Sequence, residues 1–143
     1  MPCEDDDITR IGISLPEKLL GEFDEILACR GYLSRSEGIR DAIRTYNLVY
    51  QWLCNGDTPR QGVITIVYNF WDGPLLAELA SIRHRHQGVI STSVQTYIDR
   101  HRRVEILLVQ GSSRELRDLV EILRAEKGIE AVKITTTRAD PEP

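Results

Sequence analysis

Apolar and polar residues alternate strictly across residues 9–15, TRIGISL: Ile11, Ile13 and Leu15 fall on one side, Arg10, Gly12 and Ser14 on the other. A period of two over this length predicts a short strand with one side to bury. The period then changes to three and four. Ser14 with Glu17 fits a capping box, Pro16 suits a first turn, and Leu19, Leu20, Phe23, Ile26 and Leu27 recur at helical spacing as far as Gly31, predicting a helix from about 15 to 30. Ser34 with Glu37 repeats the box, and Ile39, Ile43, Tyr46, Tyr50 and Leu53 mark a second helix that stops near Asn55-Gly56.

The turn-rich stretch NGDTPRQ, 55–61, has no apolar period and is expected to divide two domains. Beyond it, VITIVYNF (63–70) reads as a strand, and Asp72-Gly-Pro introduces a helix bearing Leu75, Leu76, Leu79 and Ile82. VISTSVQTYI (89–98) and VEILLVQG (104–111) flank the polar DRHRR as a hairpin, then a helix with Leu116, Leu119, Val120 and Leu123 runs to Gly128, and AVKITTT closes with a strand. The fold class is therefore α+β: a strand-helix-helix unit followed by a ferredoxin-like βαββαβ domain. The expected division is an acidic arm over 1–8, the first domain over 9–54, a linker over 55–61, the second domain over 62–138 and a tail over 139–143.

A lone strand and two helices bury too little to stand alone, so the strand is expected to pair with its copy in a second chain. Two such units make an antiparallel ribbon over four helices, with Arg10, Gly12 and Ser14 of each chain outward. A two-stranded ribbon fits the DNA major groove. Arg10 can bond guanine O6 and N7 together, Ser14 can bond several base edges, and Gly12 allows close approach. The start of the second helix offers free N–H groups beside Ser34, Arg35 and Ser36, suited to a backbone phosphate. Ser14 and Ser34 also read as plain helix caps.

Charge does not oppose this reading. The net charge of the 143 residues is -4, and Glu4, Asp5, Asp6 and Asp7 account for all of it, leaving a neutral body. The acidic start does not resemble an export signal and no apolar run is long enough to span a bilayer, so a cytoplasmic protein without membrane association is expected. The three cysteines, Cys3, Cys29 and Cys54, lack paired spacing and read as isolated thiols. With no phosphate loop and no nucleophile-base grouping, the chain is not read as an enzyme.

TRIGISL, RGYLSRSEGIRDAIR and the spacing between them, followed by GVITIVY, ISTSVQTYID and VEILLVQG in that order, resemble the nickel-responsive transcriptional regulators, the NikR family, over about Thr9 to Thr137. The resemblance implies a ribbon-helix-helix DNA-binding domain joined to an ACT-like regulatory domain. It implies a homotetramer, a dimer of dimers, repressing transcription at an inverted-repeat operator in double-stranded DNA. It also implies square-planar nickel held by a histidine at the end of the first regulatory helix and by two histidines and a cysteine of a neighbouring subunit. His84 matches the first position, but Gln95 and Tyr97 stand at the two strand histidines and Arg103 at the cysteine. An amide and a phenol are poor donors to nickel, and a guanidinium does not give up its proton. His84, His86 and His101 offer a rearranged site or simply surface imidazoles. Glu37 and Asp41 match acidic positions where the family holds a hard cation such as potassium. Arg83, Arg85, Arg100, Arg102 and Arg103 read as an anion receptor or as partners of Glu105 and Asp99 across subunits. A rival reading is a constitutive, antitoxin-like DNA-binding protein whose second domain only assembles the oligomer.

Overall fold

A computed structural model describes residues 8–54 and 57–139. The acidic arm with Cys3, the expected stop at Asn55-Gly56 and residues 140–143 lie outside the described residues. Two compact units are present, Met1–Thr45 and Tyr46–Pro143. The division thus falls inside a helix and not at the turn-rich stretch 55–61. Trp52 explains this: it is 5% exposed in the core of the second unit, with Leu53 packed against it, so the end of that helix is apolar where the second unit covers it.

The first unit holds helix α1, Glu17–Arg30, and the start of helix α2, Arg35–Cys54. The capping box expected at Ser14 and Glu17 is not formed: Pro16 is the N-cap, with no side-chain cap bond. The helix starts later than Ser14 can reach, which leaves that hydroxyl available. Gly31 ends α1 at φ 75°, a left-handed conformation that glycine adopts without strain, and Tyr32 N–H closes the motif onto Leu27 O at 3.0 Å. Ser34 Oγ accepts from Glu37 N–H at 3.2 Å, as expected of a cap. Leu27 and Gly38 are buried against each other, because a side chain at position 38 would collide with Leu27. Residues 9–15, expected as a strand, carry no regular secondary structure in the single chain. A strand is defined by ladder bonds, and this segment has no ladder partner among the described residues.

The second unit contains strand β1 (Pro59–Asn69), helix α3 (Gly73–Arg85), strands β2 (Ile90–Tyr97) and β3 (Arg102–Ser112), helix α4 (Ser113–Ala125) and strand β4 (Ile129–Arg138). β1 begins within the stretch expected as linker. The sheet order is β2-β3-β1-β4 with antiparallel neighbours throughout, the split arrangement that the alternation of segments predicts. Even positions of β1, Ile64, Ile66 and Tyr68, face the helices with Leu107 and Val109 of β3. Leu75, Leu79 and Ile82 of α3 and Leu116, Leu119, Val120 and Leu123 of α4 cover them. Asp72 caps α3 through Leu75 N–H at 3.0 Å, and Ser112 with Glu115 forms a complete capping box on α4. The opposite sheet face stays open, with Val94 55% and Leu108 42% exposed beside half-buried Val63, Val67, Val104 and Ile106.

Gly62 of β1 is where β4 comes closest. A Cβ there would strike the carbonyl oxygen of Thr135 and sit 3.1 Å from Thr136 Cα, backbone atoms that cannot rotate away. Gly62→Ala is expected to destabilise the second unit by about 1–3 kcal/mol, the usual cost of overpacking, read as a lower urea midpoint in chemical denaturation.

Candidate functional site

In the first unit every residue from Ile8 to Leu19 is exposed. That includes the apolar side of the alternating segment, with Ile11 69% and Ile13 59% exposed. Ile11, Ile13 and Leu15 border an open hollow of about 580 Å³ whose other walls include Leu20, Ile39 and Ile43. Thr9, Arg10, Arg35, Ser36 and Arg40 complete its rim, so the hollow is apolar at its floor and basic at its edge. Arg10, Gly12 and Ser14 of the same segment are exposed, and Arg10 also borders the hollow.

At the start of α2, Ser34, Arg35 and Ser36 are exposed. Arg35 is not free: its Nε and Nη2 form a fork onto Asp24 of α1 at 3.0 and 2.8 Å, which raises its pKa through that bond. Any phosphate at this helix start shares the guanidinium with Asp24. Asp41 accepts a bond from the Tyr32 hydroxyl and lies 3.8 Å from Arg30, whose guanidinium stacks 5.3 Å from the Tyr32 ring centroid. Glu37 remains exposed on the same helix.

The second unit gathers a polar cluster where β1, β2, β3 and the end of α3 meet. Glu105 is fully buried on the helix-facing side of β3. Tyr68 donates to its Oε2 at 2.7 Å and Arg83 of α3 to its Oε1, also at 2.7 Å. Burial first, then the bond to Glu105, pushes the Tyr68 pKa up. Arg103 lies opposite both Tyr68 and Tyr97 in the strand registers. Its guanidinium stands 5.3 Å from the Phe70 ring centroid and 5.2 Å from that of Tyr97, and it donates to the Tyr97 hydroxyl at 3.2 Å. Bonds to Tyr68 and Tyr97 raise its pKa further, so the position is permanently cationic.

These facts decide how the four positions compared with a nickel site behave. His84 is exposed on the last turn of α3, Gln95 and Tyr97 are exposed on edge strand β2, and Arg103 fills the neighbouring space with fixed charge. Such a set does not fit square-planar nickel, which takes imidazole and thiolate donors. The three histidines form no substitute: His86 Nδ1 lies 2.9 Å from Ile82 O, and among the described residues no three His, Cys, Asp or Glu side chains are gathered as a metal site.

The basic cluster resolves mainly into ion pairs formed within one chain. Arg83 pairs with Glu105, Arg85 with Glu78 at 2.8 Å and Arg102 with Asp99 at 2.8 Å. Asp99 also accepts from the N–H groups of His101 and Arg102, and these bonds, His101 first, hold its carboxyl down at about 2. The Tyr68–Glu105 bond was not foreseen from the sequence. Its signal was present, since Glu105 alternates with Leu107 and Val109 and so puts a carboxylate on a buried face.

Comparison with known proteins matches residues 61–137 to the family described as "NikR C terminal nickel binding domain" and residues 9–47 to "Ribbon-helix-helix protein, copG family". A protein of Methanothrix thermoacetophila named "Putative nickel-responsive regulator" is 43% identical over 136 residues, covering 95% of this chain and 97% of its own. One of the same name from Methanocella arvoryzae is 41% identical over 138 residues, covering 96% and 99%. Among solved structures, an uncharacterized protein of Thermotoga maritima covers 57% of this chain and 99% of its own at 18% identity, with a TM-score of 0.47.

Removing the cation beside a buried carboxylate strands its charge. Arg83→Ala is expected to cost about 2–3 kcal/mol, less than the full penalty of a buried pair because the Arg83 side chain is 30% exposed. Adding Glu105→Gln should recover part of that loss, measured by urea denaturation of the single and double variants.

Proposed function

The chain belongs to the nickel-responsive regulator family and is a DNA-binding transcriptional regulator, not an enzyme; on that premise we propose how it grips DNA and what it has lost. Two chains pair residues 9–15 as an antiparallel ribbon, whose apolar side fills the hollow at Ile11, Ile13, Leu20, Ile39 and Ile43. The observation that carries this is the exposure of both sides of one alternating segment beside that hollow. The ribbon then presents Arg10 and Ser14 to base edges, with Gly12 at the closest approach, in the major groove. Ser34 and Ser36 with the first N–H groups of α2 hold a backbone phosphate, joined by Arg35 when Asp24 yields it.

The family implies oligomers, and the finer assembly proposed is a homotetramer, a dimer of ribbon dimers repressing at an inverted-repeat operator. Supporting it is the open sheet face around Val94, Ile106 and Leu108, which the chain itself leaves uncovered. No helix among the described residues is long and apolar enough to cross a membrane; a cytoplasmic place beside the DNA is part of the proposal.

Nickel control is the part this chain has lost. The donor set is broken at Gln95, Tyr97 and Arg103, and the Arg103 cation is tied into the rings of Phe70 and Tyr97. DNA binding is therefore expected without nickel. A hard cation such as potassium at Glu37 and Asp41 is the weaker part of the reading, because Tyr32 and Arg30 already engage Asp41. Calorimetric titration with nickel, run with absorption spectra, should give no submicromolar binding and no thiolate-to-nickel band; submicromolar affinity together with that band would show that a cysteine rebuilds the site.

Readout and grip separate by mutation. Arg10→Ala is expected to lose about 1–3 kcal/mol on the operator and relax one base pair per half-site, while Arg35→Ala weakens all DNA alike. Asp24→Asn should do the opposite of Arg35→Ala, tightening nonspecific binding and steepening its salt dependence by about one charge. Electrophoretic mobility shifts across a salt series check all three, and unchanged specific affinity in Arg10→Ala would remove the ribbon as the reading element.

A further inference from the structure

Arg60, on β1, is 9% exposed, and no carboxylate among the described residues pairs with it. Its strand partner in the β1–β4 register is Arg138, so two guanidinium-bearing residues stand directly opposite each other. Like charges so placed repel and weaken a sheet. Thr136 partly satisfies Arg60, accepting from Nε at 2.8 Å on its hydroxyl and from Nη2 at 3.5 Å on its carbonyl oxygen. The Trp52 ring lies 5.5 Å from the guanidinium carbon. These contacts supply acceptors and a polarisable face, but no negative charge. Burial, and then Arg138, push the Arg60 pKa down, as uncompensated neighbouring cations require.

Next to this pair is a small cleft of about 150 Å³ lined by Gln51, Trp52, Thr58, Arg60 and Arg138. Two guanidinium groups, a hydroxyl and a carboxamide around such a volume match a compact oxyanion and suit nothing cationic. The rim is wholly within the second unit and lies apart from the Glu105 cluster.

We propose that the cleft between Arg60 and Arg138 is a site for a free tetrahedral oxyanion. The anion supplies the charge that the two arginines lack. Because Gln51 and Trp52 belong to the last turn of α2, an occupied site ties that turn to the sheet. This goes beyond the reading of the chain as a regulator and does not rest on the fate of nickel.

The test is calorimetric titration with inorganic phosphate and thermal unfolding, at ionic strength held constant with chloride, on the full chain and on Asp140→Asn/Glu142→Gln. Saturable binding to the full chain with a rising Tm identifies a free oxyanion. Binding that emerges only in the Asp140→Asn/Glu142→Gln chain, whose Tm without phosphate is lowered, makes a tail carboxylate the occupant and overturns the free-oxyanion site. In whichever chain binds, Arg138→Gln should weaken phosphate at least about tenfold, as loss of one charged donor predicts. Arg138 is exposed, so this variant is expected to fold where Arg60 variants risk the core. Absence of phosphate binding in both chains, or binding indifferent to Arg138→Gln, overturns the proposal.

Discussion

Backbone hydrogen bonding that one chain cannot complete governs the first unit. Residues 9–15 have a strand's side-chain alternation but no neighbouring strand, and their apolar residues stay exposed beside an open hollow. Buried or interfacial N–H and C=O groups need partners. In the proposed ribbon a second copy would supply the ladder and cover the apolar side in one step, leaving Arg10, Gly12 and Ser14 outward. On that proposal dimerisation and DNA reading follow from the same alternation.

Charge satisfaction plays the corresponding role in the second unit. The sheet carries Glu105 on its buried face, tolerable only because Tyr68 and Arg83 both bond it. Arg103 is accommodated differently, by two aromatic rings and a phenolic hydroxyl. Together these contacts draw β1, β2, β3 and α3 into one polar knot, with a permanent organic cation and its aromatic neighbours at its centre.

The two units differ in how much they owe to neighbours. The second has a continuous core from Trp52 to Leu123 and complete caps on α3 and α4. In the first, Leu27 is the one buried large apolar side chain of α1, and Ile43 is exposed on α2. Such a unit gains its stability on association. Asp24 and Arg35 add a further restraint, since their fork joins α1 to α2 and engages the cation at the start of α2.

Period and capping chemistry alone were enough to establish the βαββαβ order and the helix at Ser34, because these depend on residue type and local spacing, whereas the nickel positions at Gln95, Tyr97 and Arg103 were legible only through the family resemblance. The tertiary structure decided the rest. It moved the division between units into α2, since only the packed core shows that Trp52 is covered by the second unit. It replaced the Ser14 cap with Pro16, a difference of helix phase that sequence spacing does not resolve. It also chose the partners of each arginine: Asp24 for Arg35, Glu105 for Arg83, aromatic rings for Arg103 and no carboxylate among the described residues for Arg60. Long side chains reach partners far away in sequence, so their pairing is a property of the folded surface and not of the order of residues.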